Sequence, residues 1–436
     1  MKWRAPADRR VVEAIVASFS EPVERSRERL SEFVLRDWER TYHWLDASGM
    51  ALYFLDHLHT MGIEDTLPVA VIDRLRQNLA DNQMRSAVMF AEFTAINRAF
   101  QQAGVHYSNL KGFTLSPEAC RDPRLRCQLD LDFLVDGRHL ALCQEILART
   151  GYKLTAATAT VWEFKAGSSE LARIADHYKP KPQRSVELHF SAIDTRTPWR
   201  DERLDRLRLH SWGGIVFPAL SLGDQFVGQA LHLLGHLRSA CTRLAWLLEY
   251  KHHVSARYDD VDFWNEVEES SQAQGDAPIA IGLTTLLSLL VFGGSAPSLL
   301  ENWTHERLPP AVKLWAEHYG RQALLADFPG TKLYLLLEGE LRRGDNSWQK
   351  ERRVSLLPLR RVPPILHAGA SDSPLQSIRR EFYQTCFILF RLRFHVIEGL
   401  RYMIEAARWR RCTAALRESP VYQGSKISPS NKSWKS

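Results

Sequence analysis

The spacing of apolar residues divides the chain into stretches of different period. From Arg9 to Gln102 they recur at three- and four-residue steps, as in Val34, Trp38, Tyr42 and Leu45, with few breakers apart from Pro68. That period predicts helices. The pattern then shortens. Val105–Leu110 reads as a strand, Gly112 as a turn, and Ser116-Pro117-Glu118 as a helix start. Leu129–Val135 reads as a buried strand, and His139–Thr150 as a helix stopped by Gly151. Lys153–Thr160 and Val161–Ala166 are expected to pair. Ser185–Ser191 alternates most cleanly, with Val186, Leu188 and Phe190 on one face and Glu187 and His189 on the other. The helical period returns from Leu222 to about Gly344. A connector with Pro358, Pro363 and Pro364 follows, then a long basic helix over Pro374–Ala415. Gly424–Ser436, rich in Ser and Lys, is expected to be disordered.

The expected class is therefore α+β, a small mixed sheet between helical regions. The divisions fall at 1–102, 103–215, 216–344, 345–423 and 424–436. At 436 residues, 45% hydrophobic and 25% charged, the composition is that of a globular protein with a sizeable core. The apolar run Ala277–Phe292 contains Gly282, Thr284 and Thr285 and is short for a bilayer, so it is expected to be a core helix. No signal-peptide pattern marks the N-terminus. The six cysteines form no CxxC pair. Both features point to a reducing cytoplasm.

The net charge of +6 conceals an asymmetry. From Leu341 onward there are 19 Lys and Arg against 7 Asp and Glu, so the first 340 residues are net acidic. The central region is thus no basic nucleic-acid surface, whereas the basic C-terminal helix suits an anionic partner or membrane surface.

The candidate chemistry lies between residues 110 and 190. Asp130 and Asp132 are two apart on an expected strand, so both point to one face while Leu131 and Phe133 point into a core. Carboxylates that close repel unless a cation sits between them, and hard oxygen ligands suit Mg²⁺ with phosphate in its shell. Lys111-Gly112 supplies a cation and an unhindered backbone for phosphate oxygens. Glu187 adds a third strand carboxylate. The spacing of His232 and His236 suits a zinc pair, but Leu231, Leu234 and Leu237 mark a packed helix and favour satisfied, half-buried histidines. His252-His253 reads as surface.

This constellation resembles the polymerase-β-type nucleotidyltransferase superfamily. More closely, it resembles a family of uncharacterised bacterial nucleotidyltransferases with the pattern LKG…R…DxDxLV…GY…VELH. Here those positions are Leu110-Lys111-Gly112, Arg126, Asp130-x-Asp132-x-Leu134-Val135, Gly151-Tyr152 and Val186-Glu187-Leu188-His189. The resemblance implies a nucleotidyltransferase-type mixed sheet. It also implies that Asp130 and Asp132 bind Mg²⁺ (or Mn²⁺) bridging a nucleoside triphosphate, with ATP the expected one. Glu187 would complete a second metal site or accept a proton from the attacking hydroxyl. Lys111 and the Gly112 N–H would hold the leaving phosphates. Arg126, if the strand reaches it, would share the acidic face and neutralise charge there. His177 is a further candidate for substrate contact, and His189 for orienting Glu187. The implied activity transfers a nucleotide monophosphate to a hydroxyl or phosphate of a small molecule, peptide or protein and releases pyrophosphate. Two other readings are a non-catalytic accessory protein of the same fold and a toxin-like tRNA nucleotidyltransferase. The pattern departs from many relatives in two ways. Phe113 stands where a Ser often follows the glycine, and the interval from Gly112 to Asp130 is long.

Overall fold

The computed structural model describes residues 6–167, 176–180, 183–191, 201–358, 374–414 and 416. Its sheet comprises β1 (Tyr107–Leu110), β2 (Leu131–Val135), β3 (Lys153–Ala157), β4 (Val161–Ala166), β5 (Arg184–His189), β6 (Arg208–Trp212) and β7 (Ile215–Ala219). The spatial order is β3-β4-β5-β2-β1-β7-β6. The central pair β2 and β5 is parallel, β1 runs antiparallel to β2, and β1 and β7 are parallel. The fold is thus α+β with a mixed sheet, as expected.

Alternation along β2 assigns its faces. Leu131, Phe133 and Val135 join Val186 and Leu188 of β5 in a core covered by Phe93, Ile96 and Phe100 of the long helix Val69–Gln102 and by the helix Leu140–Arg149. Phe100 meets Phe133 edge-on at 5.4 Å. Burying each such ring stabilises by about 2–3 kcal/mol relative to exposure. Asp132 and Leu134 face the other way, Leu134 into a small cluster with Leu204 and Leu220.

The helical regions before and after the sheet share one core. It unites Trp38, Trp44 and Phe54 with Phe226, Tyr250, Trp303 and Trp315. The apolar run Ala277–Phe292 is a buried helix with those bounds. Among the described residues, no helix is long and apolar enough to cross a membrane. The helix Pro374–Cys412 docks through Glu398, Tyr402 and Trp409 and leaves Phe382, Leu389, Leu392, Val396 and Met403 more than half exposed.

Several local expectations are corrected. Ser116-Pro117-Glu118 begins no helix: the amides of Ala119 and Cys120 both turn back to the Leu115 carbonyl, so no turn propagates. β2 starts at Leu131, two residues later than its apolar pattern implied, and Asp130 lies just before it. The β6–β7 hairpin was not foreseen. Its tight turn is Gly213-Gly214, both with positive φ, and a Cβ at Gly213 would press on the Phe90 ring. His252-His253 is not surface, since His253 is fully buried and its ring packs against Phe226 and Phe263. Expectations for Pro363, Pro364 and Gly424–Ser436 lie outside the described residues.

Candidate active site

The site is built where β1, β2 and β5 run side by side. The ladder places Asp132 opposite Glu187 on one side and opposite Leu110 on the other. His189 lies two residues beyond Glu187 and therefore on the same face. One ligand atom from each of Asp132, Glu187 and His189 falls within 4.8 Å of the others. His189 Nε2 lies 3.0 Å from Asp132 Oδ1 and 3.3 Å from Glu187 Oε2. Lys111 Nζ donates to the same Asp132 oxygen at 3.3 Å.

The turn after β1 brings the lysine there. Lys111 has φ 53° and ψ −155°, a region essentially reserved for glycine, and among the described residues it is the one non-glycine with positive φ. Gly112 also has positive φ, and a Cβ there would collide with the Gln128 side-chain amide. That amide donates to the Asp130 carbonyl at 2.8 Å, so the close approach of glycine lets Gln128 fix the chain just before β2. Phe113 is a core residue in ring contact with Phe90, Phe93 and Trp212. The Thr114 hydroxyl is tied to the Lys111 carbonyl at 2.8 Å.

Electrostatics divides the acids. Burial would raise the Asp132 pKa, but the Lys111 cation and the hydrogen bond from His189 outweigh it and hold the carboxyl well below its ordinary range. Burial and the Asp132 carboxylate push Asp130 the other way, up to about 6. For Lys111, burial acts to lower the pKa, and the carboxylates of Asp132, Asp130 and Glu187 outweigh it and raise it. His189 follows the same logic, with its hydrogen bonds to Asp132 and Glu187 overcoming burial. The side chains of Lys111, Glu187 and His189 are 31%, 28% and 23% exposed, against 4% for Asp132. The cluster therefore opens to solvent on one side.

The structure does not place every candidate on this face. Arg126 caps a short turn before β2 rather than lying on the strand, and its Nε donates to Glu249 at 3.1 Å. The premise that the strand reaches Arg126 therefore fails. Asp130 faces Lys111 and Asp132 electrostatically but lies outside the group of three. The His177 carbonyl accepts from Arg85 at 2.6 Å, and its ring sits edge-on to Tyr178.

Some neighbours of the site escaped sequence reasoning. Asn82 donates to the carbonyls of Arg124 and Arg126, at 2.6 and 3.2 Å, and Arg85 to that of Gln128 at 2.6 Å. Both are buried, and they continue the helix stripe of Met89, Phe93, Ile96 and Phe100. That signal was present: polar residues at helical spacing on an apolar face need buried partners. His232 also adjoins the site. Burial and the nearby Lys111 cation drive its pKa well below the ordinary value. It is not satisfied as expected, because its Nε2 is buried and has no hydrogen-bond partner among the described residues.

The arrangement is a carboxylate pair on adjacent parallel strands, oriented by an imidazole and faced by an ammonium beside a strained glycine turn. Such a set can hold a divalent cation and phosphate oxygens. The model of the family described as "Uncharacterised nucleotidyltransferase" matches residues 35–291, more than half of the chain. The protein belongs to this nucleotidyltransferase family, and the match takes in the sheet and the helices on both sides of it. No curated protein matched the chain.

Proposed function

We propose that the protein is a Mg²⁺- or Mn²⁺-dependent enzyme that transfers a nucleotide monophosphate from a nucleoside triphosphate, with ATP the first candidate. The acceptor is a hydroxyl or phosphate on a small molecule, peptide or protein. The observation that carries this reading is the register of Asp132 against Glu187, with Lys111 and His189 meeting on one Asp132 oxygen. The donor set fits the ion: two carboxylates within reach of one another, a third at Asp130, and an open side for phosphate and water.

In this reading Asp132 and Glu187 hold the cation, and Asp130 joins them. The bound cation supplies charge neutralisation at the reacting phosphate. His189 keeps both carboxylates aimed at the opening, through its Nε2 hydrogen bond to Asp132 and its ion-pair contact with Glu187. Lys111 exchanges its contact with Asp132 for a phosphate oxygen, and the Gly112 turn admits that oxygen close to the backbone. The chemistry rests on position and charge rather than on a protein nucleophile.

The test is release of pyrophosphate from ATP with Mg²⁺ and a panel of acceptors. Asp132→Asn is expected to lower the rate by about 1,000-fold or more, the order of several kcal/mol in the barrier. A chelator should abolish it. Undiminished turnover in Asp132→Asn would overturn the reading, and an absence of any metal-dependent turnover or nucleotide binding would favour the accessory-protein alternative.

A further inference from the structure

The helices Leu222–Leu237 and Leu244–Ala256 form a second wall beside the acidic cluster, where Lys111 and Asp132 act electrostatically on His232. Two side chains fix that wall to the connection between β1 and β2, one near each of its ends. Gln225 Nε2 donates to the Thr114 carbonyl at 2.8 Å, three residues after Lys111. Arg243 donates to the Cys127 carbonyl at 3.4 Å, three residues before Asp130. Gln225, His232 and His236 are separated by seven and four residues, so they share one face of their helix.

On that face the imidazoles of His232 and His236 lie 4.6 Å apart. Trp246 packs on both, at 4.7 and 4.3 Å. The Arg243 guanidinium lies over the Trp246 ring at 5.4 Å. All four side chains are only half buried. The rings meet edge-on or tilted, with interplanar angles of 72°, 66° and 46°. Three π systems and a guanidinium, partly open beside a phosphate-type site, make a surface for another flat ring. His232, the member of the pair on which the Asp132 carboxylate acts, also keeps a buried Nε2 with no hydrogen-bond partner among the described residues. A buried imidazole nitrogen left this way costs free energy unless a ligand completes it.

We infer that this wall is the nucleoside subsite: Trp246 takes the planar base of the nucleotide by stacking, His236 borders it, and His232 Nε2 hydrogen-bonds the sugar between base and phosphates. The inference rests on the nucleotidyltransferase reading of the acidic cluster and adds to it where the base goes. The rings and guanidinium recognise a π face rather than one pattern of donors, so the subsite favours nucleotides as a class over base-free polyphosphate.

Calorimetric titration with Mg²⁺-ATP and with Mg²⁺-tripolyphosphate, which has no base, tests this. Trp246→Ala is expected to weaken ATP binding about tenfold and to leave tripolyphosphate binding unchanged. Trp246→Phe, which keeps a ring, should retain most of the affinity. His232→Gln should weaken ATP about fivefold with tripolyphosphate again unaffected, and it carries the comparison if Trp246→Ala does not fold. Equal loss for both ligands, or no loss for ATP, would overturn the subsite. Failure of the underlying reading is distinguishable: the unsubstituted protein would bind neither ligand in a Mg²⁺-dependent way, or Asp132→Asn would bind both as tightly as it does.

Discussion

Two clusters of buried charge lie within a few residues of each other in sequence, and they are built on opposite plans. At Arg126, one guanidinium meets one carboxylate, Glu249, which also accepts from the Tyr53 hydroxyl at 2.7 Å. The pair is 13% and 2% exposed, and the Cys120 thiol closes the remaining side by contacting Tyr53. Charges balance and hydrogen bonds are satisfied. At Asp132, three carboxylates press on one ammonium and one imidazole, and the groups around Asp132 stay roughly a quarter exposed. A closed, balanced pair ties helices to a loop. An open cluster with surplus carboxylate leaves charge that a cation from outside can match. The same residue types therefore serve structure in one place and candidate chemistry in the other.

The sharpest way to break this contrast is to unbalance the closed pair. Glu249→Ala leaves Arg126 buried without its partner and should destabilise the fold by about 3–5 kcal/mol in denaturant unfolding. An effect below about 1 kcal/mol would mean that the pair is not the anchor described. The reverse is expected at the open cluster. With divalent cations chelated, Asp130→Asn removes a like charge from a site that already resists ionisation and should stabilise by about 1–2 kcal/mol at neutral pH; with Mg²⁺ restored, the same variant should turn over more slowly. Destabilisation by Asp130→Asn would place Asp130 among structural acids instead.

Much of this was legible in the sequence for a physical reason. Periodicity reports which face a residue occupies, so Val186, Leu188 and Phe190 separated cleanly from Glu187 and His189, and the buried helix Ala277–Phe292 announced itself. Periodicity does not report which strand lies alongside. The parallel register that sets Glu187 beside Asp132 is a long-range fact, as is the pairing of Arg126 with a residue far along the chain. Arg126 shares the acidic face only if the strand reaches it, and the residues before Asp130 do not continue β2. In the fold those residues are held by side chains, with Asn82, Arg85 and Arg243 donating to carbonyls of 124–128 in place of a strand partner. The histidines of the second wall carried helical spacing but no sign of what they adjoined.

Titration of Mn²⁺ into the protein, followed by electron paramagnetic resonance of the free ion, tests whether Asp132 and Glu187 share a divalent cation. Saturable binding is expected, lost in both Asp132→Asn and Glu187→Gln and kept in Arg126→Lys. Binding of equal strength in the first two variants would contradict a shared ion.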